Sequence, residues 1–320
     1  MFPAEVIDAV LAGVLGLLFG SFLNVVAYRL PVVMYREWLR ESAENLSPHP
    51  AGGLSLWALV FGTAQPPPQH LESAAAQAVD AVDALAPLGL SRPRSRCGSC
   101  GTAIRWYHNI PVFSYLALRG RCSACGAHIS LRYPLVELVC GAFFALCGWR
   151  YGLNPVGAMW AAFAALLLCQ FLIDLDTQLL PDSLNYLLLW MGLLGALMGW
   201  TDVPLRLAVW GAILGYLSLW TVYHAYRLAT GKEGMGYGDF KLLAALGAWL
   251  GSHYLVGIIL LSSIVGAVLG GALLVSGKLA NKDIPISFGP FLAGAGLLCL
   301  LLGPAEVARM IPFAFPFGAR

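Results

Sequence analysis

The chain has 320 residues, of which 59% are hydrophobic and only 11% are charged, and its formal net charge is +2. A mean hydropathy of +0.73 is too high for a soluble domain of this length and predicts a protein embedded in a membrane. The small net charge gives no reason to expect a nucleic-acid partner.

Apolar runs follow one another along the sequence, most of them close to the roughly 20 residues that a helical span needs. They occupy residues 6–28, 135–151, 155–174, 183–200, 205–226, 253–276 and 287–303. A further run, 240–251, is shorter and is either a short span or a re-entrant helix. The first run has no basic n-region and no small-residue cleavage site, so we expect a retained anchor. The sequence predicts an all-α polytopic membrane protein with about seven or eight spans.

The basic residues predict the orientation, because cytoplasmic loops carry an excess of Lys and Arg. With the N-terminus outside, the segments 29–133, 227–241 and 277–286 fall on one side and hold ten, three and two of the 19 basic residues. We therefore expect that side to be cytoplasmic. Asp174 and Asp239 then both lie at the cytoplasmic membrane surface, one ending a helix and the other opening one.

The longest stretch between two apolar runs, residues 31–133, divides into two parts. The first, about 41–90, mixes Pro, Gly and Ala in a way that predicts a linker with one short helix. The second, about 91–132, carries four cysteines. Together with an anchor at 1–30 and a transmembrane core at 134–320, these parts give the predicted domain organisation.

Two Cys-x-x-Cys pairs lie in this loop, Cys97 with Cys100 and Cys122 with Cys125. Each pair is followed at once by glycine, which lets the backbone turn so that both thiolates face one ion. Four thiolates at this spacing suit tetrahedral zinc, and a site closed by four cysteines is normally structural. Two disulfides are the alternative, which a reducing cytoplasm disfavours. We therefore predict a cytoplasmic zinc-binding loop domain. The remaining cysteines lie in apolar runs and are expected to pack as small hydrophobic side chains: Cys140, Cys147, Cys169 and Cys299.

Acidic residues at membrane depth are costly, so each one is a candidate functional group. The segment FLIDLDTQLLPD holds Asp174, Asp176 and Asp182, and GYGDFK holds Asp239. Asp182 follows a proline and is expected to be the N-cap of the next helix, whereas Asp176 is expected to face water. Asp174 is the deepest of the three, and we expect it to converge with Asp239.

Two carboxylates held together share a proton, so one can act as a base toward water while the other protonates a carbonyl oxygen. This is the chemistry of an aspartyl protease. The helix ends favour Asp239 as the anion and Asp174 as the neutral acid. Gly236 and Gly238 lack a Cβ and would let an extended substrate backbone approach the acid. The alternative for GYGD alone is a helix cap that follows a flexible turn.

Two further charged residues lie near these motifs. Lys241 is two residues beyond Asp239 and is expected either to tune the pKa of that acid or to pair with a phospholipid headgroup. Glu137, in RYPLVEL, is either a polar contact at a membrane edge or an acid at a helix start near Arg132.

The motifs GMGYGDFK, IDLDTQLLPD, FGSFLNVVAYRLP and RYPLVEL together resemble those of the bacterial type IV prepilin peptidase (leader peptidase/N-methyltransferase) family, which belongs to the GxGD intramembrane aspartyl proteases. The resemblance covers nearly the whole chain except about 41–90. It implies a multifunctional inner-membrane enzyme that cleaves type IV prepilins or type II secretion pseudopilins and then methylates the new N-terminus from S-adenosylmethionine. The family's catalytic acids fall on Asp174 and Asp239, and both cysteine pairs match its zinc loop.

Three other classes of protein fit the sequence less well. A proton-coupled transporter also keeps acids at helix ends, but it is expected to show repeated half-helices, and the sequence has no internal repeat. A zinc metalloprotease needs an open metal site, for example His-Glu-x-x-His, which is absent. A non-catalytic assembly protein of the pilus or secretion machinery could keep the spans and the zinc loop, but it would have no reason to hold both acids.

Overall fold

The computed structural model describes residues 3–46, 56–62, 66–276, 287–303, 306–307 and 309, and the regular structure within these ranges is helical. The predicted loop at 277–286, with its two basic residues, lies outside the described residues. The helices are α1 (Ala4–Leu46), α2 (Leu56–Phe61), α3 (Leu71–Asp83), α4 (Phe113–Ala117), α5 (Arg132–Tyr151), α6 (Pro155–Thr177), α7 (Asp182–Leu197), α8 (Leu205–Thr230), α9 (Tyr237–Leu250), α10 (Leu255–Val275) and α11 (Gly289–Leu302).

Every apolar run predicted from the sequence corresponds to one of these helices, which confirms the all-α class. Within the described ranges, four helical stretches are long and apolar enough to cross a membrane: α1, α6, α8 and Ser252–Ala272. Helices α7 and α11 are shorter and are also apolar. Helix α9 has 14 residues, or about 21 Å at 1.5 Å per residue, which is less than the roughly 30 Å of a bilayer core.

The chain forms two compact units, one made of residues 1–27 with 105–320 and the other of residues 28–104. In the first unit, α9 packs against α7, α8 and α11, and its residues 242–250 are all buried. The indole nitrogen of Trp249 donates to the carbonyl of Leu188 at 2.7 Å, which ties α9 to α7. The short helix is therefore held by protein along its length, although it is too short to span a bilayer by itself.

The N-terminal part of α1, up to residue 27, packs closely on α5 within the same unit. A Cβ on Gly16 would lie 2.6 Å from the Cβ of Phe144, and one on Gly20 would lie 2.7 Å from the Cα of Glu137. Small residues of this kind let two membrane helices approach backbone to backbone. The predicted anchor is therefore packed against the helix that follows the cysteine segment.

In the second unit, α1 continues well beyond the predicted first span and ends only at Leu46. Its sequence there is rich in Arg, Glu and Leu, which are strong helix formers even where the hydrophobic signal has ended. Arg36 donates to the carbonyl of Ala86 at 3.0 Å, and Arg40 pairs with Asp83 at 3.3 Å. The region predicted as a linker with one short helix thus contains the end of α1 as well as α2 and α3.

Candidate active site

Asp174 lies in the last turn of α6, a helix with clear signals at both ends. Its N-cap, Asn154, accepts hydrogen bonds from two backbone N–H groups of the first turn, and Pro155 opens the helix with a preset backbone angle. The helix ends where Gln178 adopts a left-handed conformation, with φ 56°, and its N–H returns to the carbonyl of Asp174. The side chain of Asp174 is only 2% exposed, so this helix end places a carboxyl group inside the protein.

Asp239 lies in the first turn of α9, directly after the glycine-rich segment that precedes the helix. Its side chain is 7% exposed, and its carboxylate accepts a hydrogen bond from the backbone N–H of Gly236. The Asp239 carboxylate is close enough to that of Asp174 to interact with it electrostatically. The structure therefore brings the two acids together in a buried setting, as the sequence motifs predicted.

Two residues at the start of α11 complete the surroundings of Asp174. The hydroxyl of Ser287 donates to Oδ2 of Asp174, and the backbone N–H of Gly289 donates to the same carboxylate. Sequence reasoning did not identify either residue, because ISFGP contains no charged group or known motif. The one sequence feature that could have indicated them is a serine and a glycine directly before an apolar run.

The two motif glycines of GYGD have different surroundings. A Cβ on Gly238 would lie 2.7 Å from the Cβ of Leu180, so the turn between α6 and α7 packs directly against this glycine. A Cβ on Gly236 would meet nothing closer than 3.9 Å, at Oδ2 of Asp239. Gly238 is thus required by a close contact within the protein, whereas Gly236 has space beside it that faces the acid.

Lys241 pairs with Asp182 of α7, and not with Asp239. Its ammonium group lies 2.6 and 2.7 Å from the two carboxylate oxygens of Asp182 and 5.5 Å from the ring centre of Tyr186. The prediction that Asp182 is an N-cap is wrong by one position. Asp182 is the first residue of α7, Pro181 is the cap, and the Asp182 side chain instead binds the lysine.

Asp176 is also engaged in an ion pair, although it was expected only to face water. The guanidinium group of Arg132, at the start of α5, donates to both of its oxygens at 2.7 and 2.6 Å. Glu137 lies on the same helix, α5, and has a different partner. It is 8% exposed and accepts a hydrogen bond from the backbone N–H of Val112 at 2.8 Å.

Each Cys-x-x-Cys pair forms the same local turn. In the first, the N–H of Gly101 bonds to the carbonyl of Cys97 at 2.9 Å, and the glycine has φ 71°. In the second, the N–H of Gly126 bonds to the carbonyl of Cys122 at 2.9 Å, with φ 72°. A positive φ at this position suits glycine, which confirms the role predicted for the residue after each pair.

The four thiols lie together, as their spacing predicted. The sulfur atoms of Cys97, Cys100, Cys122 and Cys125 all lie within 4.8 Å of one another. A tetrahedral ion with metal–sulfur bonds of about 2.3 Å places its sulfur ligands roughly 3.8 Å apart. The group therefore fits one metal ion with small movements of the side chains. The other four cysteines are each only 1% exposed, which agrees with the expected packing role: Cys140, Cys147, Cys169 and Cys299.

The fold and site define a helical membrane protein with two buried, adjacent acids at helix ends and a four-cysteine group that can bind a metal. Residues 14–151 match the family described as Bacterial Peptidase A24 N-terminal domain, and residues 161–271 match the Type IV leader peptidase family.

Relatives of high identity cover almost the whole chain. A protein named prepilin leader peptidase/N-methyltransferase from Stutzerimonas stutzeri is 47% identical over 308 residues, which cover 94% of this chain and 93% of the relative. Relatives of the same name come from Pseudomonas aeruginosa PAO1, with 44% identity and coverages of 94% and 92%, and from Neisseria gonorrhoeae, with 43% identity and coverages of 89% and 87%. No solved structure matches the chain. The chain belongs to the type IV leader peptidase family, and it is an enzyme.

Proposed function

We propose that this enzyme removes the leader peptide of type IV prepilins, and of type II secretion pseudopilins, with Asp174 and Asp239 as its catalytic pair. The observation that carries the proposal is the convergence of these two buried acids at the end of α6 and the start of α9. Relatives named prepilin leader peptidase support the substrate class. Burial of two adjacent carboxyl groups is costly in a protein, and a shared proton is the arrangement that lets both remain there.

In the proposed reaction, the ionised acid takes a proton from a water molecule, whose oxygen attacks the scissile carbonyl carbon. The protonated acid gives its proton to the carbonyl oxygen, which produces a tetrahedral diol. The first acid then gives the proton it took from water to the amide nitrogen, and the C–N bond breaks. The second acid recovers its proton from a hydroxyl of the diol, so the leader leaves as a carboxylic acid and the mature pilin as an amine. Two hydrogen bonds, from Ser287 and Gly289, stabilise the ionised form of Asp174. They favour Asp174 as the base and Asp239 as the acid, which is the reverse of the roles expected from the helix ends alone.

We further propose that the enzyme lies in the bacterial inner membrane with its acids, glycine motif and cysteine group facing the cytoplasm. The excess of basic residues in 29–133, 227–241 and 277–286 supports this orientation. A prepilin that inserts its apolar segment into the same membrane would then present its leader where the acids lie. The proposed partners are prepilins, pseudopilins and membrane lipid, with no nucleic acid.

The second proposed activity is methylation of the new N-terminal amine with S-adenosylmethionine as donor, which the relatives' name supports. The described residues contain no glycine-rich strand-to-helix turn of the kind that binds nucleosides in soluble folds. The donor must therefore be held in another way, and we assign no residues to it.

The dyad is tested by mass spectrometry of a prepilin incubated with detergent-purified enzyme and S-adenosylmethionine. Asp174→Asn and Asp239→Asn should each slow cleavage by roughly 100- to 10,000-fold, and Asp202→Asn, at an exposed acid in the loop between α7 and α8, is the matched control, which should cleave at the wild-type rate. Both dyad variants should still methylate a pilin that has already been cleaved. Wild-type cleavage by either variant would exclude the dyad and leave Asp176 and Asp182 as the next candidates.

We propose that the metal bound by the four cysteines is zinc and that it folds the loop without entering the reaction, since a site closed by four thiolates leaves no open position. Elemental analysis of the purified enzyme should find one zinc per chain. Cys100→Ser should remove most of the zinc, whereas Cys140→Ala, at a buried cysteine outside the group, should keep it. Full zinc content in Cys100→Ser would contradict the assignment.

A further inference from the structure

The Asp174 carboxylate receives its hydrogen bonds from a part of the chain far away in sequence. Ser287 and Gly289 lie 113 residues or more beyond it, at the start of α11. Within α6, the backbone carbonyl of Asp174 is already used by the N–H of Gln178. The end of α6 therefore fixes the backbone of this acid, whereas the direction of its carboxylate is set by α11.

Gly289 shows how closely α11 approaches this acid. A Cβ at this position would overlap Oδ2 of Asp174 and would lie 2.9 Å from Cδ1 of Leu180. Any other residue would push either the carboxylate or the turn between α6 and α7 out of place. The close approach also brings the Gly289 N–H to the carboxylate. The missing side chain of Gly289 thus leaves room for the Asp174 carboxylate, and its N–H donates a hydrogen bond to it.

The rest of α11 is packed so that its first residues are held in one place. A Cβ on Gly296 would lie 2.6 Å from Leu246 of α9 and 2.8 Å from Leu167 of α6, so α11 fits tightly between these helices. The hydroxyl of Ser262, on α10, donates to the carbonyl of Phe291 at 3.2 Å. The Gly289 N–H lies at the start of this fixed helix, and Ser287 lies directly before its N-cap, Phe288. A donor on a fixed helix can orient a side chain more accurately than one on a loop.

The partner acid is held differently. Oδ1 of Asp239 is buried and has no hydrogen-bond partner among the described residues, whereas Oδ2 of Asp174 is bonded to Ser287. Asp174 thus accepts hydrogen bonds from two donors, whereas Asp239 accepts one, from the N–H of Gly236. The pair is asymmetric, and Asp174 is the acid whose carboxylate is held by more of the protein.

We infer that Ser287 and Gly289 are positioning residues of the peptidase site, which hold the Asp174 carboxylate in the orientation that brings it beside Asp239. This inference rests on the proposed aspartyl dyad. Neither residue touches substrate in this account, because both act through Asp174.

The test uses full-length enzyme in detergent and a prepilin substrate, with kcat and KM measured separately. Loss of one hydrogen bond to a charged group should lower kcat for Ser287→Ala by roughly 10- to 100-fold, with KM and zinc content unchanged. Ser287→Thr keeps the hydroxyl and should retain most of the activity. Ser263→Ala removes an exposed hydroxyl from α10 that takes no part in the contact with α11 and is the matched control, which should leave kcat and KM unchanged.

The glycine is tested on the same helix. Gly289→Ala should reduce kcat at least as strongly as Ser287→Ala, because its methyl group overlaps the Asp174 carboxylate. Gly294→Ala is the control, since a Cβ there would meet nothing within 4 Å, and it should cleave at the wild-type rate.

Two results would overturn the inference. In the first, Ser287→Ala and Gly289→Ala both have the wild-type kcat while Asp174→Asn is strongly impaired. That result would support the dyad and would exclude a positioning role for the two residues. The other is a Ser287→Thr variant as slow as Ser287→Ala, which would show that the hydroxyl is not what matters. Wild-type cleavage by Asp174→Asn would instead refute the proposed function itself.

Discussion

Helices α8 and α9 are neighbours in sequence and in space, yet they serve the protein in different ways. Helix α8 has 26 residues, and only 22% of its most apolar 18-residue stretch is buried. Helix α9 has 14 residues, and its apolar residues from 242 to 250 are all buried. The long, exposed helix has the length of a membrane span, whereas the short, enclosed helix carries Asp239. Two neighbouring apolar helices thus have different surroundings, since one is largely exposed and the other is enclosed by protein.

The largest effect expected from this comparison is on stability. Leu246 of α9 is 0% exposed, whereas Leu217 of α8 is 46% exposed. Leu246→Ala should lower the free energy of unfolding by about 2–5 kcal/mol, because it leaves a cavity between packed helices. Leu217→Ala should cost well under about 1 kcal/mol, because lipid or detergent replaces the lost contacts. Thermal unfolding in one detergent measures both, and equal losses would show that α9 is not enclosed as described.

A second, somewhat smaller effect is expected from the glycines. A Cβ on Gly247 of α9 would overlap the carbonyl of Gly211 on α8, whereas one on Gly271 of α10 would meet nothing within 4 Å. Gly247→Ala should therefore destabilise the protein by about 1–3 kcal/mol through overpacking. Gly271→Ala should leave the melting temperature the same or raise it slightly, because alanine is the better helix former. A Gly247→Ala variant as stable as Gly271→Ala would contradict the close contact of the two helices.

The smallest effect concerns the ion pair that joins α9 to α7. The side chains of Lys241 and Asp182 are 22% and 54% exposed, so solvent screens the pair and its loss should cost no more than about 1 kcal/mol. Lys241→Met and Asp182→Asn should each slow cleavage to a similar, small extent, and Lys232→Met, at an exposed loop lysine, should have no effect. If Lys241→Met abolishes cleavage while Asp182→Asn does not, the lysine acts on the site directly.

Much of the fold could be predicted from the sequence, because hydrophobic runs of span length leave few alternatives to a helix. Each predicted run is a helix in the structure. The end of α1 was missed, since the prediction followed hydrophobicity, whereas the residues after the run continue the helix through their intrinsic propensity. The turn at each cysteine pair was predictable because a glycine at a fixed place sets the local backbone.

The site was predictable only as far as local motifs reach. Asp174 and Asp239 could be identified from the sequence around them, because an acid beside an apolar run is costly in a membrane and is therefore a candidate functional residue. Ser287 is an uncharged residue with no motif around it, and its contact with Asp174 depends on how α11 packs against α6. The pairing of Lys241 with Asp182, across 59 residues, likewise depends on the packing of α7 beside α9. Contacts of this kind arise from tertiary structure and have no signature in a single sequence.

The central claim is that Asp174 and Asp239 act as one catalytic unit, and the most direct test is a comparison of single and double variants. Cleavage of a prepilin should be measured under single-turnover conditions for Asp174→Asn, Asp239→Asn and the double variant. Residues that act as a unit are not additive, so each single variant should lose roughly 100- to 10,000-fold and the double variant should be no slower. A double variant whose loss is the product of the two single losses would show that the acids act independently, and would contradict the account.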